Sequence, residues 1–174
     1  MVRFLILLAA LLSGCASAGK PDYEMPEDLQ EDLGTAIVRF GVEPVLKGSS
    51  SFSDVKVLSV GYEREFDANL FWKFELGYWA DKRPGAENSL FGAPSLGLVI
   101  RPWIFHVQVY AGVAAISETD NYLGGHFQFY EDVYFGLYEG EASIGLSLSH
   151  ISSAGLFKPN VGRNFFTLTV TYDL

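Results

Sequence analysis

The amino-acid sequence predicts an all-β protein, an eight-stranded antiparallel transmembrane β-barrel preceded by a signal peptide and a short acidic segment. The 174-residue chain is 49% hydrophobic and has a mean hydropathy of +0.18, so it is apolar enough to contact lipid. After the N-terminus, however, no apolar run reaches the roughly 20 residues that a membrane-spanning helix requires. Apolar residues instead alternate with small or polar ones in segments of about ten residues, which is typical of barrel strands.

Residues 1–18 have the features of a secretory signal peptide. Arg3 supplies the positive charge, Phe4 to Leu12 form an apolar stretch, and small residues lie near the predicted cleavage site after Ala18. A tetrapeptide that ends at Cys15 also resembles a bacterial lipobox, in which this cysteine would be lipidated and become the first residue. The two alternatives stay open, and both predict export across the inner membrane.

Residues 19–34 contain six acidic residues, one lysine and two prolines, and they have few apolar side chains. A segment of this composition cannot bury much apolar surface. We interpret it as an acidic tether, or a short surface helix, that precedes a barrel comprising residues 35–174.

Composition excludes several classes of function. The chain has 12 basic and 21 acidic residues and a net charge of -9, so it lacks the basic face that nucleic-acid binding requires. Its single cysteine allows neither an internal disulfide nor a cysteine zinc site. The sequence has no phosphate-binding loop motif.

Eight segments alternate with a period of two residues. In the segment from Ala68 to Ala80, Leu70 and Trp72 lie on one face. Lys73 and Glu75 lie on the opposite face. The eight predicted strands run near residues 35–46, 56–66, 68–80, 94–100, 105–115, 126–138, 142–152 and 166–174.

Periodicity alone does not say which face points outward. A soluble ligand-binding barrel would have the inverse arrangement, with its apolar face inside. Here one face is uniformly large and apolar while the other mixes glycine, serine, threonine and charges, which favours a membrane barrel with a narrow polar lumen. The predicted lumen charges are Glu63, Glu65, Lys73, Glu75 and Asp132, and His106 and His126 are predicted to be buried polar groups there rather than metal ligands.

The segment between the last two strands is predicted to carry the chemistry. With both termini in the periplasm, strand seven ends and strand eight begins at the external rim. His150 and Ser152 are two residues apart, so they share the lipid-facing side of strand seven with Leu148. A nucleophile beside a base is the minimum required for acyl transfer. Alternatively, both are polar residues tolerated at the headgroup interface.

A longer pattern surrounds this pair. It comprises His150, Ser152, Ala154, Gly155, Pro159, Asn160 and Gly162, with a Phe127-Gln128-Phe129 block upstream. The pattern resembles the signature of the PagL-type lipid A 3-O-deacylase family, and the resemblance covers the C-terminal part of the chain. Two positions depart from the family: Ser153 stands where the family has asparagine, and Asn164 stands where it has glutamate.

The resemblance implies an outer-membrane enzyme that hydrolyses the ester-linked acyl chain at the 3-position of lipid A without metal or cofactor. It implies Ser152 as nucleophile, His150 as general base and Asn160 as a stabiliser of the oxyanion. Asn164 then takes the place of the glutamate that orients the histidine. The expected partner is lipid A or lipopolysaccharide in the outer leaflet, and a homodimer stays open. The alternative function is a catalytically inactive or non-enzymatic barrel with a structural or adhesive role.

Glu131 is a second candidate partner for His150. A two-residue turn at Gly140-Glu141 is typical of a tight hairpin, and it sets the register of strands six and seven. In that register Glu131 lies directly opposite His150, where the Cβ atoms of paired residues are about 4.5 to 5.5 Å apart. Glu131 is therefore predicted to substitute for the missing acid, and the alternative is a carboxylate exposed to headgroups at the rim.

Overall fold

Eight antiparallel strands close into a barrel in the computed structural model, which describes residues 33–43 and 55–174. Each strand pairs with the next one along the chain, and the first also pairs with the last. The predicted fold class is confirmed. The strands are β1 (Thr35–Val42), β2 (Val55–Asp67), β3 (Leu70–Asp81), β4 (Ser89–Ile100), β5 (Phe105–Ile116), β6 (Phe127–Glu139), β7 (Ala142–Ser152) and β8 (Arg163–Asp173).

The N-terminal predictions concern residues that the structure does not describe. The signal peptide at 1–18, lipid attachment at Cys15 and the acidic tether up to residue 32 lie outside the described residues and stay predictions. The described part of the chain contains no helix long and apolar enough to cross a membrane.

Strand boundaries follow most of the predicted segments closely. The last strand begins at Arg163, earlier than the predicted start near residue 166, and residues 44–46 of the first predicted strand lie outside the described residues. A third difference is more informative. β4 begins at Ser89, whereas the alternation predicted a strand from Pro94. Within the first part of β4 the pattern is inverted at two positions, because Phe91 is buried inside the barrel and Gly92 lies on the outer face. A large inward side chain beside an outward glycine breaks the alternation of outward apolar and inward polar residues from which the strands were predicted.

The outer wall of the barrel is apolar, as the membrane-barrel interpretation predicted. On β7, Ile144, Leu146 and Leu148 are 54%, 49% and 52% exposed. Ser147 and Ser149 on the same strand are buried inside. A soluble barrel would have the opposite arrangement, so the apolar face of these strands is the one that contacts lipid.

The middle of the lumen is filled by a cluster of ionic side chains. Arg39 contacts Asp132 at 2.7 Å and Glu75 at 3.0 Å. Lys73 contacts Asp132 at 2.6 Å, and the Tyr130 hydroxyl donates to Glu75 at 2.8 Å. All five side chains are buried. The predicted salt-bridged lumen is confirmed for these charges, with Arg39 as a partner that the alternation did not single out.

Two lumen predictions need correction. Glu65 is exposed and accepts the backbone N–H of Asn69 at 2.9 Å, because it lies at the end of β2 where the barrel opens to solvent. His126 is exposed just before β6, with its Nδ1 2.9 Å from the carbonyl oxygen of Ile116. His106, by contrast, is buried in the lumen with Nδ1 2.8 Å from the Ser143 hydroxyl.

Removing one carboxylate of the lumen cluster should destabilise the barrel strongly. Arg39 and Lys73 both pair with Asp132 and with Glu75, so Asp132→Ala leaves two buried cations beside one anion, a change that costs about 3–5 kcal/mol of unfolding free energy. The measurement is denaturant unfolding in detergent micelles. Glu65→Gln is the matched control, since this carboxylate is exposed and the amide oxygen keeps its bond, and it should stay within about 0.5 kcal/mol of the wild type. Equal effects of both variants would contradict this account of the lumen.

Candidate active site

Three side chains form a row across β6, β7 and β8 near the end of β7. The register pairs Glu131 with His150 and His150 with Asn164. All three are half-buried, and they belong to the outward parity of β7, on which Leu148 is exposed. The predicted hairpin register is therefore confirmed, and Gly140 at its turn has a φ of 63°. Ladder geometry alone places this row on the lipid-facing wall.

The imidazole of His150 is held by Asn164. Nδ1 of His150 lies 2.9 Å from Oδ1 of Asn164. An amide oxygen only accepts hydrogen bonds, so Nδ1 carries the proton in this contact. The other ring nitrogen, Nε2, is then unprotonated in the neutral ring and is available as a base.

Ser152 is the last residue of β7 and lies on the same face as His150. Gly162 closes the space above both: a Cβ added there would lie 3.0 Å from Cε1 of His150 and 3.4 Å from Cβ of Ser152. Gly162 also has a φ of 77°, which only glycine adopts without strain. No hydrogen bond joins His150 to Ser152 within the described residues, and such bonds commonly tighten only when substrate is bound.

The side chain of Asn160 is oriented by the residue that follows the serine. Its Oδ1 accepts the backbone N–H of Ser153 at 2.8 Å. This contact identifies the oxygen end of the amide, so its NH2 group points away and, among the described residues, has no acceptor. A free amide donor near a nucleophile is suited to hold a developing oxyanion.

Ser153 stabilises the loop between β7 and β8. Its hydroxyl donates to the carbonyl oxygen of Phe157 at 3.1 Å and accepts the Phe157 N–H at 3.3 Å. The side chain is buried. Because both bonds are local, this position serves the shape of the loop.

A second loop, between β5 and β6, packs against the Asn160 segment. Val161 donates its N–H to the carbonyl oxygen of Tyr122 at 2.9 Å, and Gly124 donates to that of Pro159 at 2.7 Å. A Cβ on Gly124 would collide with the carbonyl of Lys158. The Gly124-Gly125 pair, interpreted from sequence as a turn, is thus also the place where the two loops touch.

Glu131 lies directly opposite His150 in the β6–β7 ladder. In the described part of the chain its carboxylate makes no hydrogen bond and no ion pair. The position that an acid would take against Nδ1 is occupied by Asn164. Glu131 is consequently a free, half-buried carboxylate beside the imidazole.

The alternation did not single out the ionic side chains beneath this site. Arg163, next to Asn164, is buried and contacts Asp81, Glu43 and Asp120. Burial raises the pKa of the Glu43 carboxyl above its ordinary value, although Arg83 and Arg163 oppose the shift.

No group of three or more histidine, cysteine, aspartate or glutamate side chains in residues 33–43 and 55–174 is arranged to hold a metal ion.

Comparison with known proteins identifies the family. The family model for lipid A 3-O-deacylase (PagL) matches residues 54–173. The chain belongs to the PagL family. A curated relative, lipid A deacylase PagL of Bordetella bronchiseptica, is 34% identical over 111 residues. That alignment covers 57% of this chain and 60% of the relative, so it spans less than two thirds of the relative's length.

Two solved structures share the barrel fold of this chain. The crystal structure of the outer membrane enzyme PagL has a TM-score of 0.60 at 23% identity, and the match covers 80% of this chain and 99% of that chain. The outer membrane protein Ail of Yersinia pestis has a TM-score of 0.50 at 10% identity, with coverage of 81% and 99%. At these identities the likeness concerns the barrel fold alone.

Proposed function

We propose that this chain is an outer-membrane lipid A 3-O-deacylase, an ester hydrolase that removes the acyl chain at the 3-position of lipid A in the outer leaflet. Family membership over residues 54–173 supports the reaction. The observation that carries the proposal is the His150–Asn164 contact beside Ser152, on the outward face at the end of β7. A base with an oriented imidazole next to a hydroxyl is the arrangement that acyl transfer requires.

The proposed reaction has two steps. Nε2 of His150 takes the proton of the Ser152 hydroxyl while its oxygen attacks the ester carbonyl carbon, and the NH2 group of Asn160 donates to the resulting oxyanion. The protonated imidazole then gives its proton to the departing sugar oxygen, so the sugar hydroxyl leaves and the acyl group remains on Ser152. Water, activated by the same nitrogen, hydrolyses this acyl-enzyme and releases the fatty acid.

Asn164 and Glu131 would together replace the family's glutamate, one by orienting the imidazole and the other by supplying negative charge. Asn164 orients the imidazole through Nδ1 and favours the required tautomer, but it carries no charge. In serine triads the exchange of the acid for its amide costs about 10⁴ in rate. Glu131 supplies a negative charge on the opposite side, across the β6–β7 pair. We propose that it stabilises the imidazolium through space, without a hydrogen bond.

Substrate would reach the site laterally from the membrane. The lumen is filled by buried side chains, whereas exposed apolar residues of the outer wall, Phe129, Leu148 and Phe166, surround the His150 row. An acyl chain in the outer leaflet already lies along such a wall. Hydrolysis therefore requires no pore.

A non-catalytic barrel with a structural or adhesive role is the second candidate function. The amide at Asn164 favours it, because a site under selection for acyl transfer gains from a charged acid at that position. Both candidates share the fold and the location, so the reaction itself must be measured.

Substitution of the serine should separate the two candidates. Cells that express the wild type should yield lipid A lacking one 3-linked acyl chain, and Ser152→Ala should abolish this loss because the nucleophile is gone. Mass spectrometry of isolated lipid A is the measurement. Ser147→Ala, a serine of the same strand that faces the lumen, is the matched control and should retain the activity. Unchanged lipid A with wild type and both variants, all folded, would support the non-catalytic barrel.

The charge on Glu131 should contribute to the rate. Glu131→Gln is expected to lower kcat about tenfold, since it removes an anion beside the imidazolium. Asn164→Glu should raise kcat of the wild type about 10²-fold and should restore the Glu131→Gln variant, because either carboxylate can supply the charge. Kinetics on defined lipid A in micelles is the measurement. Glu139→Gln, at the other end of β6, should have no effect, and an equal effect there would refute the role of Glu131.

Gly162 should be required for activity rather than for folding. In Gly162→Ala the new methyl group would push against Cε1 of His150, and a displacement of this size costs about 10²-fold in kcat. Gly140→Ala is the control, since this glycine also has a positive φ but has open space around it. Both variants should lose about 1–2 kcal/mol of stability from the backbone conformation. Wild-type kcat in Gly162→Ala would refute the packing of this glycine against the site.

A further inference from the structure

Arg163 joins the interior of the barrel to the candidate active site. Its side chain is completely buried inside the barrel, whereas Asn164, the next residue, turns outward to His150. The guanidinium contacts Asp81 at 2.6 Å and Glu43 at 3.3 Å, and it also pairs with Asp120. One side chain therefore joins the first residue of β8 to β3, to the residue after β1 and to the loop between β5 and β6.

The first connection leads to Asn164. One carboxylate oxygen of Glu43, Oε1, accepts the backbone N–H of Asn164 at 3.4 Å. The other oxygen, Oε2, accepts from Arg163 and, at 2.6 Å, from Arg83. Glu43 thus fixes the backbone position from which the Asn164 side chain reaches Nδ1 of His150.

The second connection leads to Asn160. Oδ1 of Asp120 accepts the backbone N–H groups of Tyr122 at 2.7 Å and Leu123 at 2.9 Å, which orders the loop between β5 and β6. Leu123 forms a β-bridge with Asn160. The carboxylate that pairs with Arg163 therefore also anchors the segment that holds the proposed oxyanion donor.

The guanidinium is itself rigidly held. Its central carbon lies 5.2 Å from the ring centre of Trp79 and 5.1 Å from that of Tyr122. A planar guanidinium can stack on aromatic faces and bind several carboxylates in fixed directions, whereas the ammonium group of lysine is a flexible point charge. An arginine is therefore the side chain that can fix both connections at once.

We propose that Arg163 is a positioning residue for acyl transfer, which acts through Glu43 on Asn164 and through Asp120 on the loop of Asn160. Its catalytic consequence rests on the proposed function, while the ordering of the two segments does not. Arg39 offers a comparison, because it is an equally buried arginine paired with two carboxylates but contacts neither segment.

The experiment compares Arg163→Met with Arg39→Met as purified, refolded chains. We expect Arg163→Met to lower kcat per folded molecule about 10- to 100-fold with KM within about twofold of the wild type, since ground-state binding is untouched. Arg39→Met should lower the unfolding midpoint but keep kcat per folded molecule. Asp120→Asn provides a second variant in case Arg163→Met does not fold: it keeps Oδ1 as the acceptor of the two loop amides but replaces Oδ2, which faces Arg163, by an NH2 group and so removes the ion pair. It should lower kcat about tenfold.

Hydrogen exchange measured by mass spectrometry makes the test independent of catalysis. Peptides that contain residues 120–125 and 157–164 should exchange faster in Arg163→Met, or in Asp120→Asn, than in the wild type and in Arg39→Met. If the wild type releases no acyl chain, the proposed function fails, and exchange alone decides the inference. Wild-type exchange in both segments, or wild-type kcat in both the Arg163→Met and Asp120→Asn variants, would overturn it.

Discussion

Closure of the sheet between β1 and β8 is the constraint on which the rest of the structure depends. In lipid no water is available for the backbone, so each N–H and C=O must find its partner within the protein. β1 meets this requirement by pairing with β8 from Thr35 opposite Asp173 to Val42 opposite Phe166. Closure also brings Glu43, just beyond β1, against the start of β8, where it accepts the N–H of Asn164.

The narrow interior that results determines where chemistry can occur. A barrel of eight strands has an interior just wide enough for its own side chains, and here ionic groups and aromatic rings occupy it. A slip of one residue would turn Lys73 and Asp132 toward lipid, so the buried charges specify register even if they add little net stability. With the lumen filled, a reaction on a membrane lipid has to take place on the outer wall, where His150 and Ser152 lie.

The part of the site that depends on local rules could be predicted from sequence. The alternation gave all eight strands, and the two-residue turn at Gly140 placed Glu131 opposite His150. The contact of His150 with Asn164 could be predicted only from the family pattern, because the alternation does not give the register of β7 and β8. The ion pairs of Arg163 could not be predicted. Its partners come from three other segments, and alternation identifies only which side chains point inward. The start of β4 was also missed, because the large Phe91 points inward and the small Gly92 points outward, the reverse of the pattern in the other strands.

An amide rather than a charged acid at Asn164 is reasonable once the surroundings of His150 are considered. A glutamate at this position would give the imidazole two carboxylates on a lipid-facing wall, with Glu131 directly across the β6–β7 pair. Charges on that face cost little at the interface, but two carboxylates beside a neutral imidazole would repel each other in the resting state. In the proposed mechanism Asn164 holds the tautomer through its contact with Nδ1, and Glu131 balances the charge of the imidazolium when it forms. In the proposed reaction the positive imidazolium and the negative Glu131 then balance each other, so the only net charge at the site is that of the oxyanion which Asn160 would hold.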